Sequence, residues 1–142
     1  MKTLTLLAVL CLAPTVAQAE PPQAVAPSSH LQELVRSQLQ AFDRGDARAA
    51  WGIVSPGLRD RFGGPDAFLE MVQLGYAPLV NSQRVIYGEQ VQLPTGEVGQ
   101  WLDVTGPAGE RVRALYLFDL IDGSWQTTGC LLFEPEDLPP AA

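Results

Sequence analysis

Val112–Phe133 reads VRALYLFDLIDGSWQTTGCLLF, two apolar-rich runs on either side of Asp122-Gly123. Asp-Gly between alternating apolar residues is a strong hairpin signal, because a type I′ turn needs positive φ at both central positions. A two-residue turn there sets the pairing of both strands. Leu120 then faces Trp125, Phe118 faces Thr127, Tyr116 faces Gly129, Ala114 faces Leu131 and Val112 faces Phe133. Side chains alternate along a strand, so these pairs share one face of the sheet. That face is almost wholly apolar or aromatic and demands a cover of helices. The other face carries Arg113, Leu115, Leu117, Asp119, Gln126, Thr128, Cys130 and Leu132. Its apolar centre, Leu115, Leu117, Cys130 and Leu132, is a candidate interface through which two copies of the chain would dimerise. A one-residue slip would invert this sorting.

Upstream, the hairpin extends into a meander. Arg84–Leu93 alternates at Val85, Tyr87, Val91 and Leu93, Pro94-Thr95-Gly96 is a turn, Val98–Thr105 is a strand, and Gly106-Pro107-Ala108-Gly109 is a second turn. If Thr105 pairs with Glu110, Trp101 and Asp103 join the helix-facing side of the hairpin, and Arg113 lies on the other. Three helices precede the strands. Ser29–Arg44 carries Leu31, Leu34, Val35, Leu39 and Phe42 at helical spacing, with Ser29 as N-cap and Gly45 closing it. Asp46 caps Ala47–Val54, with Trp51 on its inner face. Leu58–Phe62 is compatible with one further turn. Gly64-Pro65-Asp66 starts a third helix, buried through Phe68, Leu69 and Val72 and closed by Gly75. Helices first and strands after make an α+β fold, three helices packed on one face of a four-stranded antiparallel sheet.

The ends have other roles. Met1–Ala19, MKTLTLLAVLCLAPTVAQA, has a basic start, a short apolar run and an Ala-Gln-Ala cleavage site, the pattern of a secretory signal peptide. The apolar run is too short for a stable membrane anchor, and Leu10 before Cys11 does not suit a lipoprotein site. The expected destination is the periplasm or the exterior. Glu20–Ser28 reads as a flexible leader, Ser29–Phe133 as the single domain, and Glu134–Ala142 as an acidic, proline-rich tail. The chain of 142 residues carries a net charge of −7, and its one lysine, Lys2, leaves with the signal. Eight arginines then face sixteen acids. Such a chain has no long-range attraction for nucleic acid or anionic membrane. Cys130 is the one cysteine left, so no intramolecular disulfide can form.

No motif for catalysis, metal or cofactor stands out. The single histidine, His30, has no partner in its own motif, no His, Cys and carboxylate residues lie at metal spacing, and no glycine-rich phosphate loop follows a strand. Asp122-Gly123-Ser124 reads as a turn. Arg59-Asp60-Arg61 is a solvated charge run or a pocket rim. The aromatic stripe Trp101, Tyr116, Phe118 and Trp125 reads as core or as the wall of an apolar pocket.

Two levels of resemblance add to this. Ala41–Ala50, AFDRGDARAA, resembles the helix–Gly-Asp–helix join of the nuclear-transport-factor-2-like superfamily. Ser55-Pro56-Gly57, Phe62-Gly63, Phe68-Leu69, Gly75-Tyr76 and Asp122-Gly123-Ser124-Trp125 ending at Gly129-Cys130 resemble the small bacterial domain-of-unknown-function 4864 family, over about Leu31–Phe133. The resemblance implies a cone, a curved sheet wrapped round helices, often with a cavity at its wide end. Members of the superfamily include isomerases, dehydratases, cyclases and plain binding domains, so fold alone does not assign function. It also implies where to look: a carboxylate projecting into the cone, here Asp103, with Tyr116 or Tyr87 as donors, would serve as a base. The expected role is a non-catalytic module for an apolar or lipid-like small molecule, with Trp101, Asp103, Tyr116, Phe118 and Phe42 as pocket candidates. The alternatives are a dimerising domain on the outer sheet face and an isomerase- or dehydratase-like enzyme based on Asp103.

Overall fold

The computed structural model describes Gln23–Val25 and residues 28–137. The expected signal at Met1–Ala19 lies outside the described residues.

Helix α1 spans Ser29–Arg44 and buries Leu31, Val35, Leu39 and Phe42 on one stripe. Gly45 ends it at φ 65, a left-handed conformation that glycine adopts at little cost. The Asp46 side chain accepts a hydrogen bond from the Ala49 N–H at 3.1 Å and caps α2, Ala47–Trp51. Helix α2 stops short of the expected Val54 because its sequel joins the sheet. Thr127 N–H donates to the Ile53 carbonyl at 2.7 Å, and Ser55 N–H donates to the Thr127 carbonyl at 2.9 Å. Arg59 closes the helix end from below, donating to the Val54 carbonyl at 2.9 Å and the Trp51 carbonyl at 2.8 Å while its guanidinium lies over the Trp51 ring. Residues Pro56–Arg59 make the short α3, and Pro65–Gly75 make α4 with proline in its first turn.

Five antiparallel strands follow the order β1 (Gln23–Val25), β2 (Arg84–Gln92), β3 (Val98–Thr105), β4 (Arg111–Ile121) and β5 (Ser124–Phe133). The expected four-stranded meander is present, and β1 adds a three-residue strand at the edge of β2.

The Asp122-Gly123 turn has φ of 51 and 80, as a type I′ turn requires. Leu120 pairs with Trp125 and Phe118 with Thr127, as expected. Beyond them the register changes: Leu117 pairs with Gly129, Tyr116 with Cys130, Leu115 with Leu131 and Ala114 with Leu132. Thr128 is the extra residue of a β-bulge, and the face assignment of everything after it is inverted. Cys130 and Leu132 therefore lie on the helix-facing side with Tyr116 and Ala114, and not on the outer face where alternation from the turn put them. Leu131 and Phe133 take the outer face.

Strand β3 also departs from the expected register. Thr105 pairs with Arg111, not Glu110. Glu110 instead completes the turn, its carbonyl accepting from Gly106 N–H at 2.8 Å and its carboxylate from Ala108 N–H at 2.9 Å. Val98, Gln100, Leu102 and Val104 consequently face the helices and are buried. Trp101 and Asp103 face outward. There Asp103 lies 3.1 Å from Arg113, whose guanidinium sits 4.5 Å above the Trp101 ring, and Trp101 meets Phe133 at 5.6 Å. Asp103 and Arg113 thus share a face.

The core lies between the sheet and the helices. Phe118, Leu31, Leu79, Leu102, Val35 and Val54 are its largest fully buried apolar side chains, each worth about 1.5–3 kcal/mol of transfer free energy.

Candidate functional site

A cavity of about 170 Å³ opens between the helices and the helix-facing side of the sheet. Helix α1 supplies Gln38 and Phe42, and α4 supplies Phe68, Met71 and Val72. The α3–α4 segment supplies Leu58, Arg61 and Phe62. Tyr76 and Leu79 close one side, and Tyr116, Thr127, Gly129 and Cys130 form the sheet wall. The β-bulge explains the location. It turns Cys130 onto the helix-facing side beside Thr127, and these small residues share the cavity with an aromatic wall. Phe68 holds that wall, with ring centroids 6.2 Å from Phe42 and 5.6 Å from both Trp51 and Phe62.

The polar groups of the lining are few and mostly committed to one another. Tyr116 Oη donates to Gln38 Oε1 at 2.7 Å, and Gln38 Nε2 donates to the Ala50 carbonyl at 2.9 Å. Tyr76 Oη donates to the Cys130 carbonyl at 2.8 Å. A phenol and a carboxamide each have capacity beyond these bonds: Tyr116 Oη keeps accepting lone pairs, and Gln38 keeps a second N–H.

Burial keeps the two tyrosines and the thiol of the lining neutral. It holds the Tyr116 hydroxyl well above its usual value of 10.0, with Cys130, Tyr87 and Tyr76 adding in the same direction. It raises Tyr76 likewise, with a smaller push from Cys130. It pushes the Cys130 thiol up to about 12. A thiol, not a thiolate, faces the cavity at neutral pH, so Cys130 is a poor nucleophile. Stability should follow. In the unfolded chain the thiol ionises near its usual 9.0, whereas in the fold it keeps its proton to about 12. Between these values the unfolded state binds fewer protons, so stability falls as pH rises from about 9 to about 12. Tyr116 contributes in the same direction. Urea midpoints across that range should fall for the native chain and fall less for Cys130→Ala; equal slopes would contradict the buried neutral thiol.

Of the residues expected in the pocket, Phe42 and Tyr116 line it. Phe118 is fully buried and stacks on Tyr116 at 6.0 Å, outside the lining. Trp101 and Asp103 are on the opposite side of the sheet. Of the residues expected at the interface, Leu115 and Leu117 are on the outer face, while Cys130 lines the cavity and Leu132 packs on the core. Gln38 and Phe68 also line the cavity, outside the set expected there. Gln38 was readable: it is a polar residue on the buried stripe of α1, between Val35 and Phe42. Trp125 lies in a wider groove of about 760 Å³ at the hairpin tip, with His30, Leu34, Ile53 and Asp60.

The chain matches the family described as "Domain of unknown function (DUF4864)" over residues 25–139. No curated protein and no solved structure matches it.

Proposed function

We propose that this chain, which belongs to the DUF4864 family, holds a small, mostly apolar molecule in the cavity beneath its helices. The supporting observation is an apolar cavity whose buried polar groups are held neutral, with hydrogen-bonding capacity left on Tyr116 and Gln38. Small-molecule sites have this make-up, an apolar wall with a few placed polar groups. At about 170 Å³ the space is comparable to the engineered cavity of about 150 Å³ that admits benzene. The occupant, or the part of it that enters, has roughly six to ten non-hydrogen atoms by that comparison. Catalysis by Asp103 is disfavoured, since its carboxylate pairs with Arg113 on the far face. Native mass spectrometry of the purified protein tests the reading. A retained small molecule, lost from Cys130→Phe in which a ring fills the cavity, is the expected result. A bare chain that also takes up no added benzene would overturn it.

Two finer readings accompany the proposal. The element order, helices followed by a meander with the cavity between them, supports a cone of the nuclear-transport-factor-2-like kind. Met1–Ala19 supports export to the periplasm or beyond, and N-terminal sequencing of the exported protein should then begin at Glu20. A chain recovered with Met1 intact would contradict it.

A dimerising role draws support from the outer sheet face. Ile86 is 45% and Leu131 49% exposed there, beside Leu115, Leu117, Trp101 and Phe133. If that face closes a dimer, light scattering should give twice the chain mass for the native protein and the single mass for Leu131→Arg. A monomer in both cases would sink this reading.

A further inference from the structure

We infer that the occupant is an anionic amphiphile, its apolar end in the cavity and its charged head on Arg61. This rests on the binding role proposed above and names its ligand class.

Among the described residues Arg61 is the one charged residue in the lining, and it is exposed. Its place is fixed by the backbone: Arg61 N–H donates to the Leu58 carbonyl at 3.1 Å, and Phe62 N–H donates to the Arg59 carbonyl at 3.0 Å. Phe62 turns its ring inward against Phe68. Adjacent residues thus present a cation at the mouth and an aromatic ring inside, the arrangement an amphiphile needs.

Other arginines of the domain are already engaged. Arg59 is spent on two carbonyls and the Trp51 ring, Arg36 lies over Tyr87, Arg44 pairs with Asp46, and Arg113 pairs with Asp103. Among the described residues no carboxylate lies within 4.0 Å of Arg61. Its planar guanidinium suits a carboxylate or phosphate, which it can hold by two parallel hydrogen bonds. The interior sets the orientation. Tyr116, Tyr76 and Cys130 are neutral groups, so nothing among them compensates a buried anion, and an ionised head left unpaired in apolar surroundings is strongly disfavoured. The head therefore stays at the mouth. The chain's net charge of −7 gives an anion no long-range steering; the selection is local to Arg61.

Calorimetric titration with hexanoate, hexyl phosphate and 1-hexanol, which share one tail, tests the inference. At low ionic strength both anions should bind the native protein about three- to fivefold more tightly than the alcohol, the scale of an exposed ion pair. The preference should shrink in 1 M salt, on the order expected of screened charges. Arg61→Gln should abolish it, both anions falling to the affinity that hexanol shows for the same variant, and Arg61→Lys should keep it for at least one anion. A stronger hold on hexanoate or on hexyl phosphate tells the carboxylate source from the phosphate source. Hexanol binding as tightly as both anions, or a preference that survives Arg61→Gln, would overturn the anionic head but not the cavity. Binding of none of the three would overturn the cavity reading and this one with it.

Discussion

Phe68→Ala should lower the unfolding free energy by about 3–5 kcal/mol, the range for removing a large aromatic from a core. Phe68 is 5% exposed and touches three other rings: Phe42 from α1, Trp51 from α2 and Phe62 from the segment before α4. It is the point where the helices are joined to one another. Its loss removes the transfer energy of a whole ring and leaves a void. That void adjoins the existing cavity, so the surroundings have no packed layer to collapse onto. Urea unfolding should show a lower midpoint with an unchanged slope. Leu74→Ala, at a position 80% exposed on the same helix, should change little. A loss under about 1 kcal/mol for Phe68→Ala, the size of an ordinary substitution, would show that the aromatic wall does not hold the helices.

The second large effect is expected at Gln100, a fully buried side chain in the middle of β3. Strand β2 carries a bulge between Tyr87 and Gln90, and a bulge leaves ladder groups unpaired. Gln100 answers for them. Its Nε2 donates to the Gly88 carbonyl at 3.0 Å and to the Trp101 carbonyl at 2.9 Å, and its Oε1 accepts from Gln90 Nε2 at 2.7 Å. Gln90 in turn ties down Ser28 through both its N–H and its carbonyl. Gln100→Leu keeps the bulk and removes every one of these bonds at Gln100. Each buried group left without a partner costs about 1–3 kcal/mol, so a total of about 3 kcal/mol or more is expected by that scale. Amide exchange should quicken around Gly88 and Ser28 before it does in α1. A variant as stable as the native chain would mean that water takes over the carbonyls.

Much of the fold was legible because local signals agreed with one another. The Asp122-Gly123 turn, the Gly45 stop, the Asp46 cap and the Pro65 start each need a particular backbone conformation or a particular polar atom, and few residues supply either. The helix-facing set on β4, Val112, Ala114, Tyr116 and Phe118, followed from alternation alone. What failed was register. Between Trp125 and Leu131 the residues are polar or small, so no apolar pattern marks the bulge at Thr128, and one extra residue moved Cys130 from the outer face to the cavity. The turn before Arg111 failed for a similar reason. Nothing in Gly106-Pro107-Ala108-Gly109-Glu110 says that the glutamate carboxylate belongs to the turn, and one residue of difference carried Trp101 and Asp103 outward. The candidate site was thus half visible. Its helix and β4 walls lie in periodic segments, whereas its floor lies on an irregularity that periodicity cannot encode. Arg61 was visible only as one member of a charge run, because the pairing that removes Arg59 from consideration is made to backbone carbonyls.

The space between α1, α4 and the bulged end of the hairpin is the proposed binding site. The most direct measurement is a titration of the isotopically labelled protein with benzene, followed by amide chemical shifts, for the native chain and for Cys130→Phe. Saturable shifts confined to the surroundings of Phe42, Val72, Tyr116 and Cys130, and absent from the filled variant, are the predicted result. Shifts that are absent from the native chain, or that persist unchanged in Cys130→Phe, would contradict it.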